Sequence, residues 1–159
     1  MKAIYAGSFD PVTNGHIDII KRARNIFGEV TVAVLNNVKK HGLFTVEERM
    51  ELLEEVTKDL DGVTIDSFTG LLADYAKENN CKVIIRGIRT ASDYESEYIL
   101  AMANMHYYEG LETVFLLSSN KNTFVSSTLA KEVAMFDGDL SLFVPDIVGD
   151  AMKEKLIGR

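Results

Sequence analysis

Ala3-Ile4-Tyr5-Ala6-Gly7-Ser8-Phe9-Asp10-Pro11-Val12-Thr13-Asn14-Gly15-His16 is the stretch on which the reading of this chain turns. Residues 3–6 read as an apolar strand. The chain then meets Gly7-Ser8 and a turn at Asp10-Pro11, where proline fixes its own φ and disfavours helix just before it. A helix is expected from about Thr13, because Ile17, Ile20, Ala23 and Phe27 recur at helical spacing and Gly28 stands where such a segment ends. A strand that passes through a glycine turn into a helix gathers unpaired backbone N–H groups and the positive end of a helix dipole, which suits a phosphate.

The rest of the chain repeats the unit. Residues 30–35 form a β-branched apolar run, and Thr45-Val46-Glu47-Glu48 has the spacing of a capping box for a helix to about Leu60. Residues 63–68 read as a third strand, 71–78 as a helix, and 82–85 as a fourth strand ending at Arg86-Gly87, with a long helix over about 92–108. Residues 113–117 are the fifth strand. Ser126-Ser127-Thr128 can cap a helix carrying Leu129, Val133 and Phe136, and a last helix after Pro145 uses Ile147, Val148, Met152 and Leu156. Five strands alternating with helices imply right-handed crossovers. The expected fold is therefore α/β: a single Rossmann-like domain over 1–159, with a doubly wound sheet of five parallel strands flanked by helices on both faces.

Composition narrows the function classes. The 159 residues suit one domain with a sizeable core, and no apolar run approaches the roughly 20 residues of a membrane span. The opening residues carry no export signal, so the cytoplasm is the expected location. Cys81 is the only cysteine, which excludes an intrachain disulfide or a cysteine-rich metal cluster and leaves a buried, inert thiol. A formal charge of -7 argues against nucleic acid as a partner, so basic residues gathered at one place would serve something local.

In an open doubly wound sheet, ligands bind beyond the carboxyl ends of the strands, where the strand order reverses. Ser8 follows the first strand, Lys39-Lys40-His41 the second, Thr69-Gly70 the third, Arg86 and Arg89 the fourth, and Ser118-Ser119-Asn120-Lys121 the fifth. His16 falls in the first turn of its helix. The dipole there disfavours imidazolium but lets a neutral ring N–H point toward phosphate. Neither a dinucleotide-binding glycine fingerprint nor a Walker-type loop is present, and no His/Cys/Asp/Glu constellation makes a dedicated metal cage.

Thr13-Asn14-Gly15-His16 does not stand alone. Together with Lys40, Phe44-Thr45-Val46-Glu47-Glu48-Arg49, Ile85-Arg86-Gly87-Ile88-Arg89, residues 93–97 and the segment 124–133, it resembles the phosphopantetheine adenylyltransferases of the nucleotidyltransferase superfamily over nearly the whole chain. The resemblance implies an enzyme that joins ATP and 4′-phosphopantetheine into dephospho-coenzyme A and pyrophosphate by direct in-line attack, without a covalent enzyme intermediate. It also implies magnesium, bound mainly through substrate phosphates and water, a homohexamer, and coenzyme A as a candidate feedback ligand.

By the same resemblance, His16 and Lys40 are catalytic. ATP is held by Ser8, Phe9, His16, Gly87, Ile88, Arg89 and Glu97, with Asn122, Thr123, Phe124, Val125, Ser126, Ser127 and Thr128. The acceptor is held by Ser8, Lys40, Leu72, Arg86 and Asn104. The chain departs from the usual pattern in having Ser8 where threonine is common, Val125 for isoleucine, Thr123 for serine, Lys131 for arginine, and no aromatic at Asn122. Leu100, Met102 and Met105 are expected in the core. The alternatives are another small-substrate enzyme of the superfamily, such as a nicotinate-mononucleotide adenylyltransferase or a cytidylyltransferase, and a non-catalytic nucleotide sensor. The pattern over 86–97 opposes the first, retention of Ser8, His16, Lys40 and Arg86 opposes the second, and pyrophosphate release separates enzyme from sensor.

Overall fold

Period-two geometry divides β1 (Lys2–Gly7) between two cores: Ala3 and Tyr5 enter one buried cluster, Ile4 and Ala6 the other. The computed structural model describes residues 1–39 and 41–158. After β1 come α1 (Asn14–Phe27), β2 (Glu29–Leu35), α2 (Val46–Thr57), β3 (Val63–Phe68), α3 (Leu72–Glu78) and β4 (Val83–Ile88). Then follow α4 (Ala91–Tyr107), β5 (Glu112–Leu117), a short 3₁₀ turn at Asn120–Asn122, α5 (Ser127–Met135) and α6 (Asp146–Ile157).

All strand pairs are parallel, in the order β3-β2-β1-β4-β5. The chain winds outward from β1 to β3, then returns to β4 on the other side of β1. This doubly wound pattern opens a crevice between the carboxyl ends of β1 and β4. On the Tyr5 face, Ile19, Ile20 and Ala23 of α1 pack with Leu53 of α2, Ala134 of α5 and Met152 of α6. On the Ile4 face, Ala73, Tyr75 and Ala76 of α3 pack with Ile84 and Leu111, and the free thiol of Cys81 is buried among them.

Two helix starts follow their sequence signals. The Thr45 hydroxyl accepts from the Glu48 N–H at 3.2 Å while the Glu48 carboxylate accepts from the Thr45 N–H at 2.8 Å, closing the capping box of α2. The bond from the Lys155 ammonium, together with the Thr45 N–H, holds the Glu48 carboxyl below its ordinary pKa. Thr13 caps α1 in the same manner, with His16 in the place of the glutamate.

Three expectations change. The second helix stops at Thr57 rather than Leu60, where the Leu60 N–H turns back to the Thr57 carbonyl and the chain enters β3. The fourth strand runs on through Ile88, because Arg86, Gly87 and Ile88 pair in register with Phe115, Leu116 and Leu117 of β5. Arg86 thus projects from a strand, not from the loop after it.

The third concerns α4, whose Leu100, Met102 and Met105 are 53%, 49% and 40% exposed and not in the core. The inward stripe of α4, spaced at four, four and three residues, carries Asp93, Glu97, Ala101 and Asn104 instead. Polar side chains and the small Ala101 face the sheet end, and most of the larger apolar ones are exposed. Among the described residues no helix is long and apolar enough to cross a membrane.

Leu53, on the inner side of α2, is fully buried. Leu53→Ala should lower unfolding stability by about 2–5 kcal/mol in urea denaturation, since removing buried methyl groups leaves a cavity. A loss under about 1 kcal/mol would place Leu53 outside the packed interior.

Candidate active site

A cavity of about 330 Å³ lies in the crevice between β1 and β4. Its floor comes from the end of β1, where Gly7 leads into Phe9. Phe9 is a buried residue whose φ of 46° lies in the left-handed region that non-glycine residues rarely adopt. The Phe9 ring folds back against Gly7, where a Cβ would sit 3.2 Å from it, so glycine there makes room for the ring.

His16 forms one wall. Its Nδ1 accepts from the Thr13 backbone N–H at 3.0 Å, and the His16 backbone N–H donates to the Thr13 hydroxyl at 3.3 Å. An Nδ1 that accepts carries no proton, so in the neutral ring the hydrogen sits on Nε2. Among the described residues no protein group accepts from Nε2. Phe9 packs edge-on against the imidazole at 5.0 Å, and Tyr5 lies 6.4 Å away. Burial first, then the nearby Arg89 and Arg86, push the His16 pKa down from 6.5 to about 4. The ring is a neutral hydrogen-bond donor at neutral pH. Burial also raises the Tyr5 phenol above its ordinary value, so that wall stays uncharged.

Two arginines face it. Arg86 makes a bidentate pair with Glu97, Nε to Oε2 and Nη2 to Oε1 both at 2.6 Å, and its Nη1 donates to the Ala6 carbonyl. Arg89 bonds Asp93 through backbone N–H and Nε, each at 3.1 Å, and reaches the Val125 carbonyl at 3.1 Å through Nη1. Burial alone would raise the Asp93 carboxyl, but the bonds from Arg89 outweigh it and hold the acid below its ordinary pKa. Arg89 therefore ties the start of α4 to the loop before α5.

Two further cavities meet the first at Ser8. One, of about 570 Å³, is lined by Ser8, Ser127, Thr128, Asp10 and Lys131 among others. The other, of about 360 Å³, is walled by Leu35, Phe68, Leu72, Leu100 and Asn104, and shares Ser8, Arg86 and Glu97 with the first. The first cavity also gathers Gly87, Asn122, Val125 and Ser126.

Three of the expected site residues line none of these cavities. Ile88 is buried, the Thr123 hydroxyl donates to the Ser119 carbonyl at 3.3 Å, and exposed Phe124 lies edge-on to Phe143 at 5.8 Å. Ser126 caps α5 by accepting from the Leu129 N–H at 3.1 Å, and Ser127 donates to the Pro11 carbonyl at 2.8 Å. Lys40 lies outside the described residues.

Thr13 and Ser118 line the cavity where sequence reading placed them, whereas it gave no site role to Tyr5, Ser92, Asp93 and Ser96, which line it too. Ser92 and Ser96 are four apart and immediately precede Asp93 and Glu97, so helical spacing could have found them. The buried carboxylate of Asp10 left no such signal, because its partners lie more than thirty residues away.

Residues 4–133 match the cytidylyltransferase-like family model. Two structures of nicotinic acid mononucleotide adenylyltransferase from Plasmodium falciparum, one complexed with APC and one with NaAD, share the fold at TM-scores of 0.71 and 0.69. Each covers 98% of this chain and 96% of its own, at 13% and 14% identity. The fold is thus that of a cytidylyltransferase-like nucleotidyltransferase.

The phosphopantetheine adenylyltransferase of Caldanaerobacter subterraneus subsp. tengcongensis is 54% identical over 153 residues, 96% of either chain. That of Dictyoglomus thermophilum is 50% identical over 155 residues, 98% of this chain and 94% of the other. The chain belongs to the phosphopantetheine adenylyltransferase family and is an enzyme of the nucleotidyltransferase class.

The His16 geometry has a direct spectroscopic consequence. Nitrogen-detected NMR should show the Nε2–H tautomer with an unprotonated Nδ1, and no ring titration until about pH 4. The folded ring binds its proton more weakly than the unfolded one, so the unfolded chain takes up more protons between about pH 6.5 and about pH 4. Stability contributed by His16 is whole above that window and falls as the pH drops through it. A ring midpoint near 6.5 would refute the assignment.

Proposed function

We propose that this chain transfers the adenylyl group of ATP to 4′-phosphopantetheine, giving dephospho-coenzyme A and pyrophosphate as a step of coenzyme A synthesis in the cytoplasm. The observation that carries the proposal is the neutral His16, its Nε2–H without a protein acceptor among the described residues. It shares the cavity with Arg86 and Arg89 at the switch point of the sheet. A phosphomonoester acceptor is already an anion and needs no general base. One of its oxygens bonds to the α-phosphorus, the bond from that phosphorus to the bridging β-phosphate oxygen breaks, and the electron pair leaves with pyrophosphate. The protein's task is positioning and charge stabilisation.

The cavities divide that task. The glycine turn and α1 N-terminus suit phosphate in the first, with Ser8 and Arg89 at its sides. The third cavity, lined by Leu35, Phe68, Leu72 and Leu100 with Asn104, suits a flexible pantetheine arm. Arg86 and Ser8 belong to both, which fits the acceptor phosphate meeting ATP there. Coenzyme A carries the same arm and is the expected feedback ligand of the third cavity. The sequence resemblance assigns Lys40 to neutralising phosphate charge.

Magnesium fits this donor set as a passenger on the triphosphate. Asp93, Glu97 and Asp10, carboxylates lining the first two cavities, are each paired with arginine or lysine, and among the described residues no cluster of metal-ligating side chains forms. Bound to the phosphates, the ion would offset their charge. For assembly, the outward apolar face of α4 is the surface we assign to contacts within a homohexamer.

Purified protein with magnesium, ATP and 4′-phosphopantetheine should release pyrophosphate and dephospho-coenzyme A, and nicotinate mononucleotide should be a poor acceptor. Release with another acceptor only would move the chain elsewhere in its superfamily, and ATP binding without release would make it a sensor. His16→Ala should lower kcat by about 10²–10³-fold with ATP affinity changed only a few-fold, because the bond strengthens as charge develops. Equal losses would assign His16 to ground-state binding. Light scattering should give a sixfold assembly, and Ile99→Glu on the α4 face should break it down.

A further inference from the structure

The loop after β1 is held by a pair that the reaction scheme above does not use. Asp10 and Arg49 are 7% and 8% exposed. The two Asp10 carboxylate oxygens accept from the Leu43 and Phe44 N–H groups, each at 2.9 Å. Arg49, from α2, lies 3.4 Å from Asp10 through Nε, donates to the Phe44 carbonyl at 2.9 Å, and reaches the Ser8 carbonyl at 3.4 Å through Nη1. The Lys131 ammonium of α5 stands 3.5 Å from the same carboxylate. A Cβ on Gly42 would overlap the Arg49 guanidinium and lie 2.7 Å from Asp10 Oδ2, so the 42–44 backbone presses directly on the pair.

Between them, Asp10 and Arg49 bind three separate pieces of chain: the loop bearing Ser8, the backbone 43–44, and α2. Ser127 fixes the same loop from the other side through the Pro11 carbonyl. Ser8 is the residue common to all three cavities. Its distance from His16 across the first cavity therefore depends on where this clasp holds the loop.

We propose that Asp10 and Arg49 are positioning residues for adenylyl transfer, setting Ser8 against His16 without touching substrate. The inference rests on the transfer reaction proposed above. Misplacement of reacting groups by about 1 Å can cost on the order of 10²-fold in rate, so loss of the clasp acts on turnover more than on binding.

The test uses the full chain and two near-isosteric changes. Arg49→Lys keeps the charge but cannot reach Phe44, Asp10 and Ser8 together. Asp10→Asn turns an amide NH₂ toward one of the two backbone donors. Assayed below its own melting transition, each should lower kcat by about tenfold to a hundredfold while the ATP dissociation constant stays within about threefold. Amide exchange at Leu43 and Phe44 should quicken, and millimolar guanidinium added to Arg49→Ala should restore part of kcat.

A variant that melts earlier but keeps wild-type kcat would show the clasp to be purely structural and overturn the proposal. So would equal losses in kcat and ATP affinity. If one variant fails to fold, the other carries the measurement. If wild type makes no dephospho-coenzyme A, the functional reading fails instead, and unchanged loop exchange in Asp10→Asn would independently refute the clasp.

Discussion

The parallel pairing of β1 with both β2 and β4 is the constraint from which the site follows. A strand flanked on one side by the next strand in sequence, and on the other by one reached only after two more crossovers, ends in a gap that no single connection closes. Into that gap the chain must turn from β1 to α1, and it does so through Gly7 with the Phe9 ring packed against it. The turn delivers α1 with its N-terminus facing the gap. The capping box that starts the helix also fixes the tautomer of His16, through the bond from the Thr13 N–H to Nδ1. Fold and tautomer are thus set by one short stretch.

Charge in the crevice is arranged by pairing. Arg86 and Arg89 would be costly to hold near one another without compensation, and each has a carboxylate from the inward stripe of α4. This accounts for the inverted polarity of that helix. Its inner side must supply Asp93 and Glu97 to the arginines, which leaves its apolar residues outside. The uncharged imidazole completes the set, since a third cation beside two arginines is electrostatically disfavoured.

Much of this was legible in the sequence where the signal is local. Apolar strands, the Thr45 capping box and the glycine after α1 are written within a few neighbouring residues, and a doubly wound parallel sheet follows from how such units wind. The motifs of the site were readable as motifs, and three cavities gather most of them. What could not be read was long-range. Nothing near Asp10 announces that its carboxylate will bond amides of residues 43 and 44. Nothing near Arg86 shows that pairing with β5 will draw it into a strand. The methionines of α4 misled because hydrophobicity alone does not say whether a helix faces its own sheet or the space beyond it.

The overall acidity of the chain has a kinetic meaning once the paired arginines of the crevice are known. At a formal charge of -7 the protein repels a polyanion from afar, while Arg86 and Arg89 attract it only at short range. Dissolved salt screens beyond about 10 Å and so weakens the distant repulsion more than the close attraction. Rising ionic strength should therefore slow the encounter of a triphosphate with this enzyme far less than it slows capture by a uniformly basic surface. Acidity of the shell acts as a filter, leaving selection to the few ångströms around the crevice.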